Sequence, residues 1–339
     1  MRSVVSAKPV PSPPVPSRAL PRLASNPLRP VILAAAKSSR VRALITGAPP
    51  TRRLVDRFVA GDTRADALAA TKALLDTGRS VSIDHLGEDT TDRAQARAIV
   101  AEYEALIADL APSAGSGEPV PAVEVSVKLT ALGLALGAEG PAVALGHARQ
   151  ICAAAAEAGV WVTVDAEDHT TTDATLSIVR RLREDYPWVG AVLQAYLHRT
   201  EADCRELSGP ASRVRLCKGA YREPASVAYQ DAAEVDASYL RCLRVLMAGQ
   251  GYPMVASHDP AIVAAVDPLA AEHARGPDGF EHQMLYGIRD LEQRRLADAG
   301  YRMRVYVPYG AQWYGYLMRR LAERPSNLRF FLRSVVSRD

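Results

Sequence analysis

"AVEVSVKL" (Ala122–Leu129), "GHARQICAAAAEAG" (Gly146–Gly159) and "VWVTVDAED" (Val160–Asp168) follow one another along the chain, and their order decides the fold. The first and third runs are short, β-branched and alternating, as strands require. The middle run is alanine-rich, closes on glycine and reads as a helix. A strand, a helix and a second strand imply parallel pairing through a right-handed crossover.

The unit recurs in both directions. Strand-like runs appear at "SVSIDHLGE" (from Ser80), "AVLQAYL" (from Ala191), "SRVRLCKGAY" (from Ser212), "GYPMVASHD" (from Gly251), "FEHQMLYG" (from Phe280) and "RMRVYVPYG" (from Arg302), with helical segments such as "TTDATLSIVRRLREDY" between them. With the two opening runs this makes eight strands, which predicts a closed (β/α)8 barrel rather than an open doubly wound sheet. Residues 41–110 read as N-terminal helices plus the first barrel strand, and 111–339 as the rest of the barrel. Residues 1–40, rich in Pro, Ser and Arg, read as a disordered tail that builds no core.

Residues 1–55 hold ten Lys or Arg and no Asp or Glu, which leaves 31 basic against 38 acidic residues in the remainder. The basic character is therefore confined to the tail, and no nucleic-acid surface is expected. An Arg-rich, Ser-rich, acid-free segment resembles a transit peptide, but its prolines oppose the amphipathic helix such peptides form, so a dispensable extension or an upstream start is preferred. No apolar run approaches the ~20 residues of a membrane span. Cys152, Cys204, Cys217 and Cys242 lack metal-ligand spacing and read as free thiols in a reducing cytoplasm.

Barrels of this kind build their active sites where strands end. Nearly every strand here ends in chemistry: Asp84 and His85; Lys128; Asp165, Glu167 and Asp168; Gln194 and Tyr196; Arg215 through Lys218 and Tyr221; His258 and Asp259; Glu281 and Gln283; Tyr306. Lys128 admits three uses: Schiff-base nucleophile, anion clamp, or partner of a carboxylate. Pairing with Asp165 on the neighbouring strand end would keep it protonated and disfavour the first. "DAEDH" (Asp165–His169) alternates its carboxylates between two sides and has no placed histidine partner, so no metal is expected. "GLALGAEG" lacks the G-x-G-x-x-G spacing of a dinucleotide-binding turn. "RVRLCKGAY", where Gly219 permits close backbone approach, and "SHD" (Ser257–Asp259) together read as a cofactor cradle.

Near the C-terminus, "RVYVPYGAQWYGYLMRRLAERPSN" (Arg304–Asn327) turns from strand into helix. Tyr316 precedes Arg319 and Arg320 by three and four residues, so a helix gathers all three on one side. A phenol beside two guanidinium groups suits a small molecule bearing an apolar ring or chain and a carboxylate.

Taken in order, "SVKLTALG", "VDAEDH", "LQAYL", "VRLCKGAY", "SHD", "FEHQMLYG" and "VYVPYG…YGYLMRRLAERPSN" resemble the proline dehydrogenase family in its monofunctional bacterial form, over about Leu54–Phe331. The resemblance implies a distorted (β/α)8 barrel that binds FAD at its carboxyl face. It implies oxidation of L-proline to Δ1-pyrroline-5-carboxylate, electrons passed to a membrane quinone, and product passed to a separate Δ1-pyrroline-5-carboxylate dehydrogenase. The setting would be cytoplasmic, with peripheral contact at the inner face of the membrane. By motif, Lys128, Arg319 and Arg320 would bind the proline carboxylate, while Tyr221, Leu285, Tyr306 and Tyr316 would wall its ring. Asp165 would hold Lys128, and Arg215 would stand beside the reactive flavin nitrogen. Ala166, Gln194, Lys218, Gly219, Ala220, Ser257 and His258 would contact FAD. Ser257 stands where threonine is common, Cys217 replaces an aliphatic residue, and "DAED" replaces a sulfur-bearing variant. Other readings of the residues are a lysine Schiff-base barrel aldolase and a non-catalytic proline-binding protein.

Overall fold

The structure is a computed structural model that describes residues 55–87, 90–114 and 120–323. The tail 1–40 lies outside the described residues, as does the side chain of Arg320. Eight strands alternate with helices: α1 (Arg64–Leu75), β1 (Ser80–His85), α2 (Arg93–Leu110), β2 (Val123–Val127), α3 (Gly140–Ala158), β3 (Trp161–Val164), α4 (Thr172–Arg183), β4 (Gly190–Gln194) and α5 (Thr200–Glu206). They continue with β5 (Arg213–Cys217), α6 (Ala232–Ala248), β6 (Tyr252–Ala256), α7 (Pro260–Glu272), β7 (Glu281–Leu285), α8 (Asp290–Asp298), β8 (Met303–Tyr309) and α9 (Trp313–Glu323). Every strand pairs in parallel with its sequence neighbours, and β8 returns to β1 to close the barrel.

The helices start and bury where local chemistry directs them. Asp92 caps α2 by accepting from the backbone N–H groups of Ala94 and Gln95, which would otherwise lack partners. Ala96, Val100, Tyr103, Leu106, Ile107 and Leu110 then recur at three- and four-residue spacing and form its buried face. Asp231 and Asp259 cap α6 and α7 in the same manner. Ahead of the barrel, Thr63 and Asp66 form a reciprocal capping box for α1, which packs against β1 and β8.

Strand alternation divides the barrel into two chemistries. Outward residues such as Val81, Ile83, Val125, Val164, Leu216 and Val305 join the helices in the main apolar core. Burying each such side chain contributes about 1.5–3 kcal/mol before chain entropy is counted. Many inward positions are polar instead: Ser82 and Asp84 on β1, Glu124 and Ser126 on β2, Arg213 and Arg215 on β5, Glu281 and Gln283 on β7, and Arg304 on β8 are all buried. A barrel lumen of this kind must be internally neutralised, because an unpaired charge there costs several kcal/mol.

A second apolar cluster closes one side of the mouth. It unites Phe58 and Val59 with Leu86, Ile288, Trp313 and Leu317, and with Tyr316 of α9. The segment before α1 is tied across β8 by two backbone bonds, Ala60 N to Pro308 O at 2.8 Å and Gly310 N to Gly61 O at 2.9 Å. Among the described residues no helix is long and apolar enough to cross a membrane.

Candidate active site

The lumen holds one continuous run of ion pairs from the amino end of the barrel to its mouth. At the bottom, Arg304 Nε meets Glu281 at 2.8 Å and Arg213 Nη2 meets Glu124 Oε2 at 2.6 Å. Arg215 crosses the middle. Its Nη2 donates to Glu124 Oε1 and Ser82 Oγ, both at 2.9 Å, and its Nη1 donates to Asp165 Oδ1 at 2.8 Å and Ser126 Oγ at 2.9 Å. Burial alone would push the Glu124 carboxyl up, but Arg304, Arg213 and Arg215 together hold it well below the usual carboxylate range. Burial opposes the charge on Arg215 in the same way, and Asp165 and Glu124 overcome it and raise its value.

At the mouth the run ends on Lys128. Its Nζ lies 2.6 Å from Asp84 Oδ2, 3.4 Å from the Tyr306 hydroxyl and 3.6 Å from Asp165 Oδ2. Tyr306 donates to Asp165 Oδ2 at 2.7 Å, and burial holds its phenol well above the normal value. The sequence reading gave Lys128 to Asp165; the shorter contact is to Asp84. Asp84 ended a strand in that reading without a role, because its pairing depends on the stagger between β1 and β2. Its register partner is Ser126, which sets Lys128 two residues further up the wall. Burial pushes the Asp84 carboxyl up to about 6, against the pull of Lys128. An ammonium held this way is a poor nucleophile, which speaks against a Schiff base.

Around this polar floor stand the aromatic candidates. Tyr316 belongs to the mouth cluster, and Leu285 and Tyr306 pack against it. The guanidinium of Arg319 lies over the Tyr221 ring, 5.7 Å from its centre, so α9 reaches the loop that follows β5. Arg215 in turn lies 5.3 Å from the centre of the Tyr306 ring. Tyr306 of β8 thus links Lys128 to the cluster that holds Tyr316, against which Leu285 of β7 also packs, and Arg319 of α9 meets Tyr221 beyond β5.

The cradle residues line the ends of β3 to β6. Gln194 donates to the Glu167 carbonyl at 2.8 Å and ties two strand ends together. Lys218 pairs with Asp259 at 2.7 Å and with Asp236. His258 Nε2 accepts from Leu285 N at 2.9 Å, and Ser257 Oγ accepts from Asp259 N at 3.1 Å. Ala166, Gly219 and Ala220 are half-buried. Gly219 adopts φ +113°, and a Cβ there would fall 2.3 Å from the Tyr196 ring. Glycine is therefore required by the fold itself at this position. Beside it, Glu223 accepts from Tyr196 at 3.2 Å and from His169 N at 2.9 Å, and pairs with the His169 imidazole. That clasp joins the loops after β3, β4 and β5. The motif reading did not find it, since Glu223 lies beyond any strand. Of the "DAEDH" carboxylates, Glu167 accepts from Thr130 N at 3.0 Å and Asp168 caps the short turn His169–Thr171.

Comparison with known proteins agrees with this architecture. The family model described as proline dehydrogenase matches residues 67–333. Proline dehydrogenase 1 of Bacillus subtilis is 40% identical over 288 residues, covering 85% of this chain and 92% of its own. Proline dehydrogenase of Deinococcus radiodurans is 40% identical over 285 residues, covering 84% and 90%. Among solved structures, proline utilization A (PutA) of Bdellovibrio bacteriovorus inactivated by N-propargylglycine superposes with a TM-score of 0.73 at 26% identity over 86% of this chain, which spans 36% of that longer protein. A family match over most of the barrel, two relatives matched along nearly their whole length, and one shared closed barrel lead to a single conclusion: the chain belongs to the proline dehydrogenase family.

Proposed function

We propose that the chain oxidises L-proline to Δ1-pyrroline-5-carboxylate at the mouth of the barrel, with FAD as its cofactor and a quinone as electron acceptor. The observation that carries this reading is the position of Lys128: a cation at the end of a buried polar lumen, beside the Tyr306 phenol that packs against the Tyr316 cluster. Lys128, Arg319 and Arg320 would grip the substrate carboxylate, and Tyr221, Leu285, Tyr306 and Tyr316 would enclose its apolar ring. Charge-assisted bonds to the carboxylate fix orientation, and orientation can supply several kcal/mol of the barrier. Asp84 and Asp165 would hold Lys128 in place, and Asp165 would also position the Tyr306 phenol.

The residues present fit a flavin. The Nε of Arg215 is buried and has no partner among the described residues, so a donor remains that an acceptor on a bound group would satisfy. The guanidinium there would favour negative charge developing on its neighbour. Ala166, Gln194, Arg215, Lys218, Gly219, Ala220, Ser257 and His258 would hold the cofactor; a phosphate at Lys218 would share that ammonium with Asp259 and Asp236. When bound, FAD supplies the acceptor for the hydride leaving the carbon beside the ring nitrogen. That loss requires the nitrogen lone pair, so the substrate must react as its neutral amine. A quinone in a bilayer would call for peripheral membrane contact, and the product would pass to a separate Δ1-pyrroline-5-carboxylate dehydrogenase.

Anaerobic mixing of the purified protein with L-proline tests the reading. Loss of the oxidised-flavin absorbance, restored by a soluble quinone, is the expected result. A colourless protein, or a flavin that proline leaves oxidised, would refute it.

A further inference from the structure

The two carboxylates beside Lys128 are not equivalent. Asp165 is satisfied by other donors: its Oδ1 accepts from Arg215 Nη1 and Ser126 Oγ, each at 2.8 Å, and its Oδ2 from Tyr306 at 2.7 Å. Asp84 has Lys128 as its one ion-pair partner among the described residues, at 2.6 Å. Its second oxygen faces the Tyr103 hydroxyl at 3.5 Å, and that hydroxyl makes a shorter bond, 2.7 Å, to the Ser126 carbonyl. An anion arriving at Lys128 therefore competes with Asp84 for the same ammonium.

We infer that binding of a carboxylate at Lys128 is coupled to protonation of Asp84, so that the incoming anion takes the place of the Asp84 carboxylate on the ammonium. The inference rests on the proposed reading that Lys128 receives the substrate carboxylate. The groups facing Asp84 support it from each side. Lys128, just past β2, is the only cation paired with it among the described residues; Asp165, just past β3, adds a second negative charge; Tyr306 on β8 and Tyr103 on α2 are phenols that burial holds well above their normal values. The adjacent His85 is kept neutral to lower pH by its burial. Burial already brings the Asp84 carboxyl up to about 6. A further negative charge about 5 Å away, at an effective dielectric of about 20, raises it by roughly two pH units.

The proton comes from the medium and ends on Asp84, while Lys128 stays an ammonium throughout. L-proline itself must shed one proton from nitrogen before hydride loss. Uptake at Asp84 then offsets that release, and productive substrate binding is close to proton-neutral near pH 7.

Cyclopentanecarboxylate, which keeps proline's ring and carboxylate and lacks the nitrogen, isolates the effect. Titration calorimetry of the purified holoenzyme at pH 7 in two buffers of different ionisation enthalpy should show uptake of roughly 0.8 proton. The affinity should fall about 25-fold from pH 6 to pH 8. Asp84→Asn should abolish both effects, and Lys128→Met should weaken binding at least tenfold. Binding that needs Lys128 but takes up no proton, or uptake that persists in Asp84→Asn, overturns the coupling and leaves the carboxylate site standing. No binding at any pH, or binding indifferent to Lys128→Met, overturns the carboxylate site and the coupling with it. The wild-type proton count needs no variant, so a misfolded Asp84→Asn protein does not remove the test.

Discussion

Replacing Glu124 with Gln removes one negative charge from the centre of the lumen and changes almost no volume. Glu124 is fully buried and lies within 2.6 Å of Arg213, 2.9 Å of Arg215 and 4.0 Å of Arg304. Arg215 keeps Asp165, and Arg304 keeps Glu281. Arg213 keeps no carboxylate among the described residues: what remains is the Trp188 carbonyl at 3.3 Å, the Met254 sulfur at 3.4 Å and the Trp161 ring at 4.4 Å. Leaving one partner of a buried pair uncompensated costs about 3–5 kcal/mol. For a chain of this length each kcal/mol lowers Tm by roughly 1.5 °C, so a fall of about 4–8 °C is expected. Thermal unfolding of Glu124→Gln, Arg213→Met and the double variant measures the coupling. The double variant removes both charges and should recover most of the loss. If Glu124→Gln unfolds within about 2 °C of wild type, the lumen charges are not mutually dependent and the reasoning fails.

Three other perturbations probe separate parts of the molecule. His282, buried between Phe280 and Tyr301, is pushed down to about 4 by burial. The unfolded chain therefore binds its proton first, and stability present above pH 6.5 is lost as pH falls toward 4, by about 3 kcal/mol at the limit; in His282→Phe, acid unfolding followed by circular dichroism should shift to lower pH. Gly219→Ala drives a Cβ into the Tyr196 ring at a φ unsuited to alanine, and the purified variant should carry less flavin per chain by absorbance. Tyr316→Ser should lower kcat/KM for proline while raising the ratio for 4-hydroxyproline over proline, and an unchanged ratio in a variant that retains flavin would place Tyr316 outside the pocket.

The barrel was legible because period-two alternation is local. Val123, Val125 and Val127 face the helices whatever their neighbours are, and eight such runs leave few topologies. The lumen was less legible. Arg213 and Arg304 occupy inward positions on the same pattern as Arg215, yet charged residues in a strand are ordinarily read as solvent-facing. Their partners lie far away in sequence, Glu124 89 residues before Arg213. Only closure of the barrel brings them across the lumen. The pairing of Lys128 with Asp84 rather than chiefly with Asp165 depends on strand stagger, which no local pattern encodes. Tyr316 and Arg319 were visible as one helix face, while their seating against Phe58, Val59 and Tyr221 is tertiary. The tail and the side chain of Arg320 lie outside the described residues.

The most direct test of the carboxylate grip at the barrel mouth is the proline concentration needed to reduce the flavin anaerobically in Lys128→Met beside wild type. Removing the ammonium takes away a charge-assisted bond worth about 1.5–3 kcal/mol, so half-reduction should require at least tenfold more proline while flavin content stays unchanged. An identical proline dependence in a variant that keeps its flavin would mean that the substrate carboxylate is held elsewhere.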